Sequence, residues 1–125
     1  MASRNPFEQD KDPDGISQHI PGAKLDAGKV RVGLMIAGFA KPLMEVAKVS
    51  TYGAEKYTEG GWAQVKDGEA RYTDAMMRHF LAEQEVIDEE SGLLHAAQTA
   101  WNALARLHFI LERLENDPSN HQSHP

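Results

Sequence analysis

Apolar residues recur every three or four positions along residues 91–115, and this spacing constrains the fold more than any other feature. A repeat near 3.6 residues places them on one side of an α-helix. The apolar stripe comprises Leu93, Ala97, Ala100, Leu104, Leu107 and Leu111. The other side is polar, with Ser91, His95, Gln98, Asn102 and Arg106. The segment is predicted to be a helix with two chemically different faces, capped by Ser91 and stopped at Asp117-Pro118.

Two further helices are predicted upstream. One spans roughly residues 34–57, and because Pro42 suits a first helical turn, its continuous part can begin near residue 41. The other covers roughly residues 69–85, after a loop at 58–68 that contains Gly60-Gly61. No alternating strand pattern of useful length is visible. The predicted fold class is an all-α helical bundle, whose thin core we expect to be completed by oligomerisation.

The composition favours one domain with polar ends. A chain of 125 residues is the size of a single domain. Proline, glycine and polar residues predict a flexible arm at 1–21 and a flexible tail at 116–125, which leaves 22–115 as the folded domain.

Charge and cysteine content exclude several classes of protein. With no cysteine, the chain has no disulfide scaffold and no cysteine catalysis. A net charge of −6 argues against a surface for duplex nucleic acid, although a few local cations can still hold a nucleotide. No apolar run approaches the ~20 residues of a membrane span, and the start does not resemble a signal peptide. We therefore expect a cytoplasmic protein without a membrane partner.

Titratable residues near the second and third helices are candidates for a catalytic or metal site. His79 and Glu83 lie one helical turn apart, and His95 and Gln98 repeat this arrangement. Asp88 lies in the connector between the two helices. Facing helices can direct such ligands at Mg²⁺ or Mn²⁺. The same spacing is common on solvated helix surfaces, so the pattern alone leaves both interpretations open.

Cations and aromatic rings complete the set of candidate ligand-binding residues. The cations available to phosphate oxygens are Lys24, Lys29, Arg71 and Arg78. Arg78 can equally pair with Asp74 on its own helix, and the glycine-rich segment around Lys24 can equally be a solvated arm. Purine stacking is predicted for Tyr57 and Trp62, whereas Trp101 is expected in the core. Gln98 and Asn102 can contact the edge of a base, but they are equally common on a solvated helix face.

Several stretches, taken in order over residues 22–112, resemble the family of phage dATP/dGTP diphosphohydrolases. They are Gly22-Ala23-Lys24-Leu25-Asp26-Ala27-Gly28-Lys29, Glu45-Val46-Ala47-Lys48-Val49, Tyr52-Gly53-Ala54-Glu55-Lys56-Tyr57, Trp62, Arg71-Tyr72-Thr73-Asp74-Ala75, Arg78-His79-Phe80, Asp88-Glu89-Glu90-Ser91-Gly92, His95 and Trp101-Asn102. The family is similar to the MazG-like all-α nucleotide pyrophosphohydrolases, which cleave a nucleoside triphosphate between its α- and β-phosphates.

The resemblance implies a function and a setting. It implies Mg²⁺- or Mn²⁺-dependent hydrolysis of dGTP or dATP to the monophosphate and pyrophosphate by a homo-oligomer, either a dimer or a tetramer. It also implies phage nucleotide metabolism linked to 2-aminoadenine DNA, in the host cytoplasm.

The resemblance further implies roles for individual residues. His79 and Glu83 would be catalytic, and the metal ligands would come from Glu45, Glu55, His79, Glu83, Asp88 and His95. Phosphates would be bound by Lys24, Lys29, Lys56, Arg71 and Arg78. The MazG pattern pairs Glu-x-x-Glu with Glu-x-x-Asp, whereas this chain has His95 and Gln98 in the second motif. The alternative is a non-enzymatic helical interaction module, such as a phage accessory protein, in which the leucine stripe forms the interface.

Overall fold

The computed structural model describes residues 10–119, and this part of the chain is built from helices. The helices are α1 (Val32–Gly38), α2 (Ala40–Lys56), α3 (Gly68–Leu81) and α4 (His95–Glu115), with 3₁₀ turns at Gly61–Gln64 and Glu83–Glu85. The predicted all-α fold class is therefore confirmed. The ends of the predicted arm and tail, residues 1–9 and 120–125, lie outside the described residues.

The first two predicted helices differ from the observed ones at their ends. The single helix predicted over 34–57 is two helices, because the backbone leaves the helical region at Phe39 (φ −114°, ψ 26°). Pro42 lies in the first turn of α2, where a missing N–H is tolerated. The second predicted helix ends at Leu81 and not near residue 85, since the chain then tightens into a 3₁₀ turn.

The prediction that Ser91 caps the last helix is wrong. Helix α4 begins only at His95, and Leu94 occupies the N-cap position without a side-chain cap. The Ser91 hydroxyl instead donates to the Asp88 carboxylate at 2.8 Å. A serine that is already bonded within the connector cannot also satisfy the free N–H groups of a helix four residues later.

Helices α3 and α4 lie antiparallel, and α2 packs against α4. Arg106 Nε donates to Thr73 Oγ1 at 2.9 Å, and Arg113 forms an ion pair with Glu69 at 3.0 Å. Positions later in α4 therefore meet positions earlier in α3. On the other side, Trp101 Nε1 donates to Ser50 Oγ of α2 at 2.9 Å. The side chain of Trp101 thus lies between α2 and α4, but it is only half-buried and is not one of the buried core residues, so its predicted place in the core is not confirmed.

The polar face of α4 is the buried one. His95, Gln98 and Asn102 are buried, as are Ala105 and one member of the apolar stripe, Ala97. Three leucines of the apolar stripe, which we call the leucine stripe, are half-exposed. The exposed fraction is 40–47% for Leu104, Leu107 and Leu111. The helix therefore turns its hydrogen-bonding side chains inward, where each needs a partner, and leaves much of its large apolar surface uncovered.

An aromatic cluster anchors the loop between α2 and α3. The Trp62 ring meets Trp101 edge-on at 5.7 Å between centroids and His108 at 4.8 Å. The Tyr72 hydroxyl donates to the Trp62 carbonyl at 2.9 Å, and its ring stacks on Phe109. Edge-to-face contacts of this kind add to burial and fix the rings in one arrangement.

The segment before α1 is organised around one carboxylate. Asp12 is buried and accepts backbone N–H bonds from Asp14, Ile16 and Lys24, the last at 2.8 Å. The hydrogen bond from Lys24 is the main cause of an Asp12 pKa below its usual range. None of the helices within residues 10–119 is long and apolar enough to cross a membrane.

Gly68 begins α3 where no side chain fits, so we expect Gly68→Ala to destabilise the protein. An added Cβ would overlap the ring of Phe109, whose Cδ2 would lie only 2.7 Å away. Forcing a methyl group into such a contact typically costs about 1–3 kcal/mol.

The free energy of unfolding in denaturant provides the measurement. Gly53→Ala is the matched control, because a Cβ at Gly53 of α2 meets nothing within 4 Å. There the helix propensity of alanine should stabilise by about 0.5–1 kcal/mol. Equal effects at the two positions would contradict the role assigned to the Phe109 contact.

Candidate active site

Residues 82–94, which we call the link, join α3 to α4, and the chain reverses direction within them. Val86 adopts φ 60° and ψ −64°, a strained γ-turn in which the Ile87 N–H bonds to the Glu85 carbonyl at 2.6 Å. A positive φ is rare for a β-branched residue. After the turn, the Val86 carbonyl accepts a hydrogen bond from the His95 N–H at 2.8 Å. The Asp88 backbone N–H donates to the Leu93 carbonyl, also at 2.8 Å. The link thereby holds Asp88 close to the first turn of α4.

Two histidines meet where α3 ends and α4 begins. The Nδ1 atoms of His79 and His95 are 2.9 Å apart, and the ring centroids are 5.2 Å apart. One Nδ1 must carry the proton and the other must accept it, so the two rings hold different tautomers. A second proton between the two Nδ1 atoms would break the bond. The geometry therefore favours a pair with a single proton between its facing nitrogens.

Asp88 supplies a negative charge beside this pair. Its carboxylate accepts from the Ser91 hydroxyl at 2.8 Å and from the Glu90 N–H at 3.4 Å. Partial burial alone would raise the pKa of Asp88, but these hydrogen bonds and the two histidines outweigh it and leave the pKa lowered. Asp88 is therefore ionised at neutral pH.

Burial keeps His79 neutral. Partial desolvation lowers the pKa of His79 from 6.5, the charge of Asp88 opposes this effect, and His95 and Arg78 reinforce it. A neutral imidazole beside an ionised carboxylate can accept a proton and is then stabilised as the cation. The pair has the chemical requirements of a general base.

Gln98 and Ser91 extend the cluster along α4. Gln98 Nε2 donates to Ser91 Oγ at 3.2 Å, and the Leu93 N–H bonds to the same oxygen at 3.1 Å. Asn102 Nδ2 in turn donates to the Gln98 carbonyl at 2.8 Å. Sequence analysis missed the role of Ser91, although its position three residues after Asp88 in the connector was a usable signal.

Helix α2 faces the link between α3 and α4 across a cleft. Lys56 makes an ion pair with Glu90 in the link, and this hydrogen bond raises the pKa of Lys56. Glu45, a predicted metal ligand, pairs with Lys48 at 3.0 Å. A cleft of about 290 Å³ lies between α2 and the link, and Glu55 is among its lining residues.

The predicted metal and catalytic residues fall into two groups. The first meets at the junction of α3 and α4 and contains His79, Asp88 and His95. The second group lies apart from this junction. Glu45 and Glu55 are on α2, and the Glu83 side chain forms no hydrogen bond or ion pair with any described residue. Within residues 10–119, no three histidine, aspartate or glutamate side chains are arranged to hold a metal ion.

The predicted phosphate-binding cations are dispersed. Arg71 Nη1 donates to the Lys66 carbonyl at 3.2 Å, and the Lys24 backbone N–H donates to the Asp12 carboxylate. Arg78 is close enough to His79 to lower its pKa, and the alternative ion pair with Asp74 does not occur among the described contacts. The Lys29 side chain forms no hydrogen bond or ion pair with any described residue. Lys56 is joined to the link next to Asp88.

The predicted base-binding residues also differ in setting. Trp62 is part of the aromatic cluster, and Tyr57 is 72% exposed with Lys56 Nζ 5.2 Å from its ring centroid. Gln98 and Asn102 are buried and hydrogen-bonded within α4 and the link. These four residues do not surround one described cavity, and Tyr52, which sequence analysis left out of this group, lines the α2 cleft.

The fold and the site define the class of this protein: it is all-α, with an imidazole pair and a carboxylate where two helices meet. Comparison with known proteins makes this specific. The family model described as dATP/dGTP diphosphohydrolase, N-terminal, matches residues 19–119, and the chain belongs to this family. The resemblance seen in the sequence is thereby confirmed.

A curated relative agrees with this assignment. A dATP/dGTP diphosphohydrolase of Salmonella phage PMBT28 is 36% identical over 103 residues, which cover 81% of this chain and 32% of the relative. The chain thus spans about a third of the length of the relative that it matches. No solved structure matches this chain.

The lowered pKa of His79 leads to a prediction about how the stability of the protein depends on pH. Because burial lowers the pKa of folded His79 below 6.5, the unfolded chain takes up a proton more readily as the pH falls through this value. We expect the free energy of unfolding to decrease from pH 7.5 to pH 5.5, and to decrease less in His79→Gln.

Denaturant titrations at the two pH values measure this difference. His19→Gln serves as the control, since His19 is exposed and lies outside the cluster. The proposed linkage is wrong if His79→Gln retains the full pH dependence of the unsubstituted protein.

Proposed function

We propose that the protein hydrolyses purine deoxynucleoside triphosphates, dGTP or dATP, to the monophosphate and pyrophosphate. The observation that carries the proposal is the hydrogen-bonded pair of His79 and His95 beside the ionised Asp88. The family description and the name of the phage relative support the same substrates. In a phage, dGMP made in this way would supply a precursor for 2-aminoadenine DNA, as the resemblance implies.

The histidine pair would act as the general base. A water molecule attacks the α-phosphorus, its proton passes to the neutral imidazole, and the bond to the bridging oxygen breaks to release pyrophosphate. Asp88 stabilises the imidazolium that forms, as its effect on the pKa of His79 indicates. Lys56 lies where it can meet phosphate oxygens if it exchanges Glu90 for the substrate.

Dependence on Mg²⁺ or Mn²⁺ is part of the proposal, because the resemblance implies it and phosphoryl transfer requires charge neutralisation. The described residues do not fit a metal held by this chain alone, since they offer no group of three suitable ligands. The Nδ1 atoms of the histidines bond to each other, and Asp88 is engaged by Ser91. No catalytic step is therefore assigned to a metal bound by a single chain.

Product analysis tests the reaction. We expect dGTP or dATP, incubated with Mg²⁺ or Mn²⁺, to yield pyrophosphate, and His79→Gln to lower the rate by about 100-fold or more. Chromatography of the nucleotide products and a pyrophosphate assay provide the measurement, with His19→Gln as the control. Release of single phosphate would refute the cleavage position, and no turnover of any nucleotide would favour the interaction module.

We also propose that the protein is a homo-oligomer, either a dimer or a tetramer. Helix α1 contains no buried residue, although it carries Leu34, Met35 and Ile36. The leucine stripe of α4 is half-exposed as well. Large exposed apolar side chains in such numbers are typical of interfaces between subunits.

A charge introduced into the leucine stripe tests the oligomer. We expect Leu107→Asp to shift the mass in solution to that of a 13.9 kDa monomer, because the new carboxylate would be buried without a partner. Light scattering coupled to size-exclusion chromatography measures the mass. Lys66→Asp places the same acid at an exposed site outside the stripe. An unchanged mass for Leu107→Asp would exclude this surface as the interface.

A further inference from the structure

The cleft between α2 and the link is large enough for a single base. Its volume of about 290 Å³ lies just below the range of roughly 300–1,000 Å³ typical of ligand pockets. Such a space suits one planar ring system better than a whole nucleoside triphosphate. Tyr52 and Glu55 of α2 line one side, and Ser91 and Leu93 of the link line the other.

The cleft adjoins the histidine cluster through Ser91. This side chain both lines the cleft and donates to Asp88, which lies beside His79 and His95. Lys56, one residue after Glu55, is bonded to Glu90 of the same link. A ligand seated in the cleft is therefore within reach of the groups assigned to the reaction.

Glu55 gives the cleft a free hydrogen-bond acceptor. The nearby ammonium groups are engaged elsewhere, Lys48 with Glu45 and Lys56 with Glu90. No described residue forms a hydrogen bond or an ion pair with the Glu55 carboxylate. An ionised carboxylate only accepts hydrogen bonds, and its two oxygens suit a ligand edge that presents two adjacent donors.

Tyr52 provides the flat surface that such a ligand needs. It lies one helical turn before Glu55, so both side chains are on the same face of α2. Its ring is half-buried, and Lys56 Nζ lies 5.8 Å from the ring centroid. Stacking on an aromatic ring strengthens the binding of any base, because every base has a π-face. Selectivity must come from the carboxylate.

We propose that this cleft binds the base of the substrate and that Glu55 selects guanine over adenine, with the ring stacked on Tyr52. The proposal rests on the proposed function. Guanine presents N1–H and the 2-amino group side by side, and each can donate to one oxygen of Glu55. Adenine presents an unprotonated N1 at the same place, so its lone pair would face the negative carboxylate. A site built around two donors rejects a ligand that lacks them.

The experiment compares Glu55→Gln with the unsubstituted protein on three substrates, dGTP, dITP and dATP. We expect kcat/KM to decrease in that order, because hypoxanthine keeps N1–H but lacks the 2-amino group. In Glu55→Gln the ratio of dGTP to dATP should fall by about 10-fold or more, as for loss of a two-point base contact. Glu59→Gln removes the same charge from an exposed position that does not line the cleft, and should leave the ratio unchanged.

Two results would overturn the proposal without affecting the proposed function. One is hydrolysis by Glu55→Gln with an unchanged ratio, and the other is an equal loss on all three substrates, which would assign Glu55 to metal or phosphate binding. If no nucleotide is hydrolysed at all, the proposed function fails, and the base site is tested by calorimetric binding of dGMP, dIMP and dAMP. Equal affinities of the unsubstituted protein for the three would then refute it.

The stacking role has its own test. We expect Tyr52→Phe to preserve the KM for dGTP, since it keeps the ring, and Tyr52→Leu to raise KM by about 5-fold or more with a smaller effect on kcat. Retention of the KM in Tyr52→Leu would show that the base does not stack there.

Discussion

The hydrogen bond between the Nδ1 atoms of His79 and His95 joins the last turn of α3 to the first turn of α4, and the site depends on it. The two rings can meet only because the link reverses direction at Val86, whose positive φ is unfavourable for a β-branched residue. The Val86 carbonyl then accepts the His95 N–H, at the residue where α4 starts. Strain in the link is thus coupled through one backbone bond to the position of a site histidine.

The hydrogen bonds of the site continue along the buried face of α4. Gln98 bonds to Ser91 of the link, and Asn102 bonds to the Gln98 carbonyl one turn further on. Buried polar groups are stabilising only when they have partners, so each member of the row supports the next. The row thus connects Asp88, which is proposed to take part in the reaction, to the buried face of α4.

Periodicity was sufficient to predict the helical fold and the two faces of α4, because both follow from the spacing of side chains along one segment. It could not predict that the polar face is the buried one, which depends on the partners that α2 and α3 supply. The sequence indicated His79, Asp88 and His95 as candidate site residues, and in the structure the link holds them close together. Their gathering depends on the reversal at Val86, and no glycine marks that turn. The sequence predicts a cap at Ser91 because a serine before an apolar run is a common N-cap, whereas the Ser91 hydroxyl donates to Asp88.

The two faces of α4 connect the site to the outer surface of the molecule. Within the described chain, the buried apolar residues are only Val49, Ala97 and Ala105, so hydrophobic burial contributes less here than in most domains of this length. The polar contacts of α4 therefore carry a larger share of its stability. Any partner that covers the exposed leucines binds the folded helix and not the unfolded chain, and it stabilises that helix by mass action. His95, Gln98 and Asn102 lie on the same helix as those leucines, so the helix that such a partner would stabilise is the one that carries these buried polar groups.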